Sequence, residues 1–251
     1  MSIRTALVGA FLLWLSAVPA GAQPTEWRDR AFASGNLAFQ LTDRPFDELV
    51  TPVIYTERAS IAATHPVAGQ RLTIDAGGGI RVWRSLGVGG GITRFAAEEM
   101  STVVARVPHP TTFNQPRLAT KDTPFRRTES AIHLHAVYVV PVTPRLDVML
   151  TAGPSFISVT QDLVQRIDLT EAGPPFAAVG IGNVATLTRQ ARARAIHAGA
   201  DVTWFLTPVV GFGVTARYVT GSLTMPLTDG TPLDIDVGGL QVGWGARIRL
   251  R

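Results

Sequence analysis

Five histidines, 22 arginines and a complete lack of cysteine limit the chemistry open to this chain. His133 and His135 stand two residues apart, and His197 recurs in a segment of the same alternating kind. Three imidazoles on one surface could hold a transition metal. The competing reading is a hydrogen-bond network with Asp147, Asp201 and nearby arginines, and it is preferred because nothing in the spacing sets the three rings at one depth. Asp229, Asp234 and Asp236 match no calcium loop, and Gly230 follows Asp229 as a turn residue would. The runs Gly77-Gly78-Gly79 and Gly87-Val88-Gly89-Gly90-Gly91 lie inside alternating segments instead of opening a helix, which rejects a phosphate loop. His65 and His109 each precede proline and show no recognisable spacing to a serine and an acid. The missing cysteine excludes a disulfide scaffold, a zinc–thiolate site, an iron–sulfur cluster and a thiol nucleophile. No catalytic residue, metal or cofactor is expected.

These residues must be carried by elements, and composition indicates which. Of 251 residues, 46% are hydrophobic and only 17% charged, against about 25% in typical soluble domains. Lys121 is the one lysine, and 24 residues are glycine. Residues 1–22 read as a secretory signal peptide. Arg4 forms the positive region, Ala6 to Val18 the apolar one, and Ala20-Gly21-Ala22 the cleavage site, which leaves 23–251 as the mature domain. The apolar stretch falls short of the ~20 residues of a membrane-spanning helix, and Pro19 breaks it. No later segment offers an uninterrupted apolar span, so a mature chain that enters a membrane must do so as a closed barrel.

The mature chain alternates over eight segments, roughly 35–41, 70–83, 86–95, 130–140, 145–159, 194–204, 209–220 and 237–250. Tight gaps separate the second from the third, the fourth from the fifth and the sixth from the seventh. The other gaps are long. A strand sends successive side chains to opposite faces. Sorted that way, one face carries a single charge, Arg94. The other carries eight: Arg71, Asp75, Arg81, Asp147, Asp201, Arg217, Arg247 and Arg249. It also holds His133, His135, His197 and twelve glycines. A soluble barrel would turn the apolar face inward, whereas a membrane barrel turns it outward. Glycine, threonine, arginine and aspartate suit a narrow polar lumen better than a solvated surface, which would carry lysine and glutamate. An even number of strands with short and long connections at opposite ends is the layout of an outer-membrane barrel, with periplasmic turns and extracellular loops. Trp204 and Phe205, at one end, and Phe39, Phe95, Phe156 and Tyr218, at the other, suggest a partial pair of aromatic girdles. Strands are expected to continue beyond the membrane at Thr51 to Tyr55, Thr102 to Val107 and Ala177 to Leu187. A hairpin from a long loop would raise the strand number to ten.

This pattern resembles the small outer-membrane β-barrel family that includes the OmpA-type transmembrane domain and the OmpX-like proteins. The resemblance covers nearly the whole mature chain. Its most specific part is the last strand, Gly238-Gly239-Leu240-Gln241-Val242-Gly243-Trp244-Gly245-Ala246-Arg247-Ile248-Arg249-Leu250, which looks like the C-terminal signal read by the barrel-assembly machinery. Leu250 stands near the place of the usual terminal aromatic and Arg251 follows it. The resemblance implies an eight-stranded antiparallel up-and-down transmembrane β-barrel, all-β, monomeric and located in the outer membrane of a Gram-negative bacterium. The lumen is expected to hold a polar network of Arg71, Asp75, Arg81, His133, His135, Asp147, His197, Asp201, Arg217 and Arg247. Arg126, Arg127, Arg189, Arg192 and Arg194 fall near the outer rim, where lipopolysaccharide phosphates would lie. Outer-membrane lipids and lipopolysaccharide are the expected partners; nucleic acid is not. The expected role is structural, or surface interaction through the long loops, with no catalysis. The alternatives are a narrow channel for ions or small solutes and a lipid-modifying enzyme. An interior only wide enough for side chains argues against a wide pore.

Overall fold

A computed structural model describes residues 27–66 and 71–250. The signal peptide expected at 1–22 lies outside the described residues. Twelve strands follow in order: β1 (Ala31–Gln40), β2 (Phe46–Val50), β3 (Val53–Ile54), β4 (Glu57–Arg58), β5 (Ser60–His65), β6 (Arg71–Trp83), β7 (Leu86–Val107), β8 (Arg117–Thr143), β9 (Leu146–Glu171), β10 (Val179–Phe205), β11 (Val210–Pro226) and β12 (Pro232–Leu250). Eight of them, β1 and β6 to β12, form a closed antiparallel ring with β12 paired to β1 and β7 to β8. The expected eight-stranded up-and-down barrel is present. Closure leaves no unpaired edge in the ring, the condition for crossing lipid with strands.

The register fixes the barrel's geometry. Cross-strand partners run Val202, Val214, Trp244, Leu37, Ile74, Arg94, Ser130, Ser158 and Arg192. One circuit thus leaves β10 at Val202 and returns to it at Arg192, a stagger of ten residues. With about 3.3 Å per residue along a strand and about 4.8 Å between strands, that stagger tilts the strands by about 40°. An apolar belt encircles the outside. Ile74, Ile92 and Ile196 are each more than 60% exposed, and Leu134, Leu150, Val214 and Trp244 share the same surface. Each such side chain gains about 1.5–3 kcal/mol when it leaves water. A continuous ring of them is the surface of a barrel that spans a membrane.

The strands are longer than their alternating segments, and the reason is a reversal of polarity. Along β7, Gly87, Gly89, Gly91 and Thr93 face the lumen and Val88 and Ile92 face out, whereas higher up Phe95, Val103, Ala105 and Val107 are buried inside. The outer face changes correspondingly. Thr102, Thr188 and Thr224 donate to the directly opposite Asp122, Asp162 and Asp234 at 2.6–2.8 Å. Beyond the belt the barrel is therefore built like a soluble protein, polar outside and apolar inside. β7 reaches Val107 and β10 starts at Val179, as the β-forming segments in the long loops suggest, whereas Thr51 to Tyr55 supplies only the two-residue β3.

The first long connection does contribute a hairpin. β5 pairs with β7 over Ser60–Thr64, above the point where β6 leaves it, and β2 pairs with β5. These strands join the extension beyond the belt, so the ring keeps eight strands and not ten. β12 departs from β1 at Gly238 and Gly239, whose φ values of +85° and +128° suit glycine alone. The girdle reading also needs correction. Phe95 and Phe205 are both 5% exposed and point inward, because each sits on the lumen parity of its strand.

Candidate functional site

The lumen strands bring an extended polar chain together. Asn36 Nδ2 donates to Asp75 Oδ1 at 2.6 Å, and Asp75 Oδ2 accepts from Arg217 Nη2 at 2.9 Å. Arg217 also donates to Gln241 Oε1 at 2.9 Å. On its other side Asn36 Oδ1 accepts from Arg247 Nη1 at 2.6 Å. Arg247 is paired with Asp201, and Asp201 accepts from Thr203 Oγ1 at 2.7 Å. One asparagine thus bridges two arginine–aspartate pairs into a seven-residue network drawn from β1, β6, β10, β11 and β12. Arg247 meets Asp201 with Nε and Nη2 together, whereas Arg217 turns Nε and Nη2 to Gln241 and reaches Asp75 through Nη2 alone.

The histidines make a second group. Ser155 Oγ lies 2.7 Å from His133 Nδ1 and 2.8 Å from His197 Nδ1, and His133 Nε2 lies 3.1 Å from Thr93 Oγ1. A hydroxyl has one proton, so one of the two Nδ1 atoms donates to Ser155 and the other accepts from it. His135 stands with its ring 5.5 Å from that of His197. Gly153 allows this packing, since a Cβ there would come within 2.0 Å of Leu134 O on the neighbouring strand. Among the described residues no group of three or more metal-ligating side chains has the geometry to hold an ion.

Of the expected lumen residues, Asp75, His133, His197, Asp201 and Arg247 are buried, and Arg71, Arg81, His135, Asp147 and Arg217 are half-buried. They do not form one centre. Arg81 turns to the short-turn end and donates to Trp27 O at 2.5 Å. Asp147 pairs there with Arg249 at 2.9 Å, and Arg249 also meets Asp29 at 3.4 Å and lies over the Phe205 ring. Arg71 is at the opposite end, paired with Glu99.

Both ends of the polar stretch are closed by apolar packing. Trp27, Val137 and Val139 are buried against Phe32 and Met149 at the short-turn end. Above the network, Val159, Val219, Met225, Ile235 and Val237 form one apolar cluster, and Val103, Ala105, Val107, Phe125 and Val164 form part of another. Cavities of about 50, 40 and 10 Å³ lie among the described lumen residues. Each is suited to a few waters at most.

The extension holds a site that sequence reasoning missed. His65 Nε2 lies 3.1 Å from Glu48 Oε2, and His65 Nδ1 lies 3.3 Å from Ser101 Oγ. The three come from β2, β5 and β7, and no sequence spacing could have signalled partners 17 and 36 residues away from a histidine followed by proline. A serine, a histidine and an acid in line are the members of a hydrolytic triad. Here Ser101 is 1% exposed and Glu48 0%, and the N–H of Val164 donates to both Glu48 oxygens. His65 is sandwiched by Phe46 and Phe125, with ring centroids at 4.5 and 4.8 Å. With no access to solvent, the arrangement serves as a buried knot that ties the β2–β5 hairpin to β7 and β9.

The rim arginines divide by parity. Arg126 points outward and pairs with Glu98 at 2.8 Å. Arg192 and Arg194 are outward and exposed. Arg127 is corrected: as the immediate neighbour of Arg126 it must face the other way, and it is buried against Glu129 and the Phe46 ring. Arg189 is corrected as well, because it shares the inward parity of Ala191, Ala193 and Ala195.

Eight closed strands, an apolar outer belt and a polar lumen define a transmembrane β-barrel. Solved structures of similar form include the outer membrane protein OprG from Pseudomonas aeruginosa, with 9% identity, a TM-score of 0.45, and coverage of 89% of this chain and 96% of that one. The attachment invasion locus protein Ail of Yersinia pestis, in complex with the heparin analogue sucrose octasulfate, shares 10% identity at a TM-score of 0.39, over 88% of this chain and 100% of its own. The outer membrane protease OmpT from Escherichia coli shares 9% at a TM-score of 0.47, over 91% and 99%. No family model and no curated protein sequence matches the chain.

Proposed function

We propose that this protein is an integral barrel of a Gram-negative outer membrane that acts through its extension, as a structural or surface-interaction element, without catalysis and without a conducting pore. The observation that carries this reading is the extension itself. It is a continuous folded β structure with an apolar interior, pinned by Glu48, His65 and Ser101. At its tip Arg117 braces two connections, donating to Pro108 O at 2.9 Å in the one between β7 and β8, and to Phe176 O at 3.0 Å and the β9 terminal Glu171 at 2.5 Å beside the one between β9 and β10. Such order held outside the membrane suits a presented surface. In this reading the long connections are extracellular, the short turns periplasmic and the mature chain starts at Gln23, delivered by the barrel-assembly machinery. The apolar packing at both ends of the lumen supports the absence of conductance.

The test is reconstitution of the mature protein in a planar bilayer, together with surface labelling of intact cells at an introduced cysteine at Asn114. Electrical silence with external labelling supports the reading. Stepwise conductance overturns it in favour of a channel, and a mass loss of acyl chains from the surrounding glycolipid overturns it in favour of a lipid-modifying enzyme.

A further inference from the structure

The outer surface at the top of the apolar belt is not uniform around the ring. On four successive strands the top of the belt is marked by the outward Ile92, Ile132, Phe156 and Ile196. The next outward residues are Arg94, Ser130, Ser158 and Arg194. The register makes Arg94, Ser130, Ser158 and Arg192 direct neighbours across β7, β8, β9 and β10. One step higher, Thr128, Thr160 and Gln190 extend the same surface, and Gln190 Nε2 donates to Ser158 Oγ at 2.9 Å. Two serines therefore form a low, hydroxylated floor between arginines. Three strand spacings separate Arg94 from Arg192, about 14 Å, a span that two extended arginine side chains can bridge to one headgroup.

The charge is unusual for where it sits. Arg94, Arg192 and Arg194 are all exposed, and among the described residues none has a hydrogen bond or ion pair. Some outward arginines of the extension are paired, Arg126 with Glu98 and Arg166 with Asp168, whereas these three cluster without a carboxylate at the top of the belt. Three guanidiniums without protein partners at the edge of lipid leave their donors free for an anion. Arg94, lowest of the three, can extend its stem along the belt and lift its head to the same level. Below the floor Ile92, Ile132, Phe156 and Ile196 offer an acyl-binding wall.

We propose that this face of β7 to β10 is a binding site for a phosphorylated lipid of the surrounding leaflet. Arg94, Arg192 and Arg194 hold its phosphates, Ser130 and Ser158 donate hydroxyl hydrogen bonds, and the isoleucines and Phe156 receive its chains. Guanidinium forks bind phosphate in bidentate fashion, which serves this ligand better than the point charges of lysines would. The site deepens the outer-membrane reading and rests on the belt being in lipid.

The test is native mass spectrometry of the full mature barrel released from detergent. The probes are a diphosphorylated acyl glycolipid, the same lipid without its phosphates, and inorganic phosphate as competitor. The unmodified protein should retain the phosphorylated lipid, and removal of the phosphates should abolish retention. The variant R94Q/R192Q/R194Q should bind about tenfold more weakly for each arginine lost, since a hydrogen bond to a charged group is worth about 1.5–3 kcal/mol. Arg126→Gln, outside the floor, should bind as the parent does. A double change, Ser130→Leu with Ser158→Leu, fills the floor and should also abolish retention, which keeps the test open should the triple variant fold poorly. Equal retention by the variants, or of the dephosphorylated lipid, overturns the site. Full displacement by inorganic phosphate shows a simple anion site and overturns the lipid assignment. A protein that does not enter detergent micelles or vesicles at all refutes the membrane reading, a separate failure.

Discussion

Replacing Glu48 by alanine should open the extension and leave the barrel closed. Glu48 is fully buried, and three contacts depend on it. The Val164 N–H donates to its two oxygens at 3.0 and 3.1 Å, and His65 Nε2 stands 3.1 Å away. The alanine leaves the backbone N–H and the imidazole without partners in an apolar surrounding. Each orphaned group costs about 1–3 kcal/mol, so the local loss is about 4 kcal/mol, or about a thousandfold in the opening equilibrium. The loss should be local, because β2 and β5 pair only with each other and with β7, above the ring. Hydrogen exchange of the protein in lipid vesicles reads this directly. Amides of β2 and β5 should exchange about a thousandfold faster, while those of β1, β6 and β12 within the belt keep their protection. Unboiled protein should still migrate ahead of boiled protein on a gel. Glu48→Gln keeps a carbonyl for Val164 and should lose less than half as much. Unchanged protection in β2 and β5 would refute the knot, and loss of protection throughout the ring would refute the independence of extension and barrel.

Three further outcomes follow from particular contacts. Arg217→Met strands the buried Asp75 carboxylate and should cost about 3–5 kcal/mol, whereas the double change Arg217→Met with Asp75→Leu should be more stable than that single variant; urea midpoints in vesicles compare them. Gly245→Val should fail to close the barrel, since a Cβ there would meet Gly35 O at 1.8 Å, and boiled and unboiled samples should then migrate alike; Gly35→Ala, with nothing within 4 Å, should fold. In the extension the Tyr55 hydroxyl bonds to Glu171, and that carboxylate raises the phenol above its ordinary value of 10.0. The contact is thus present through neutral pH and lost as pH rises past the raised value. Ultraviolet titration should show a late-titrating tyrosine that disappears in Tyr55→Phe, and its persistence would sink the assignment.

The barrel was legible because lipid imposes one strict rule on each face. Ile74, Val88, Leu134 and Val214 could be sorted outward, and Asp75, Asp201, Arg217 and Arg247 inward, by counting in twos. The same counting ended the strands too early. At Phe95 on β7 and at Ile157 on β9 the inward parity turns apolar, so alternation measured against a fixed pair of faces stops although the strand continues. The pairing of Arg126 and Arg127 as one rim contact failed for a related reason, since neighbours in a strand cannot share a face. The knot of Glu48, His65 and Ser101 was not legible at all. Its members meet only after a long loop folds back on β7, a contact that carries no local sequence period.

The reversal of polarity above the belt and the apolar packing at the short-turn end also bear on the lumen. Conducting pores combine rings of carbonyl or charged groups with apolar constrictions that dewet when closed. Here Asn36 joins two arginine–aspartate pairs at mid-depth, and apolar residues pack above and below them. The pairs are spent on each other and on neighbouring glutamine and threonine. Such a network specifies how eight strands register around a narrow axis. The apolar core above it does something different, because residues such as Val103, Phe125 and Val164 gain nothing from lipid and are buried only if the extension folds. A barrel that served only to span the membrane would need no such core. That core lies beyond the apolar belt, where it holds the shape of the extension.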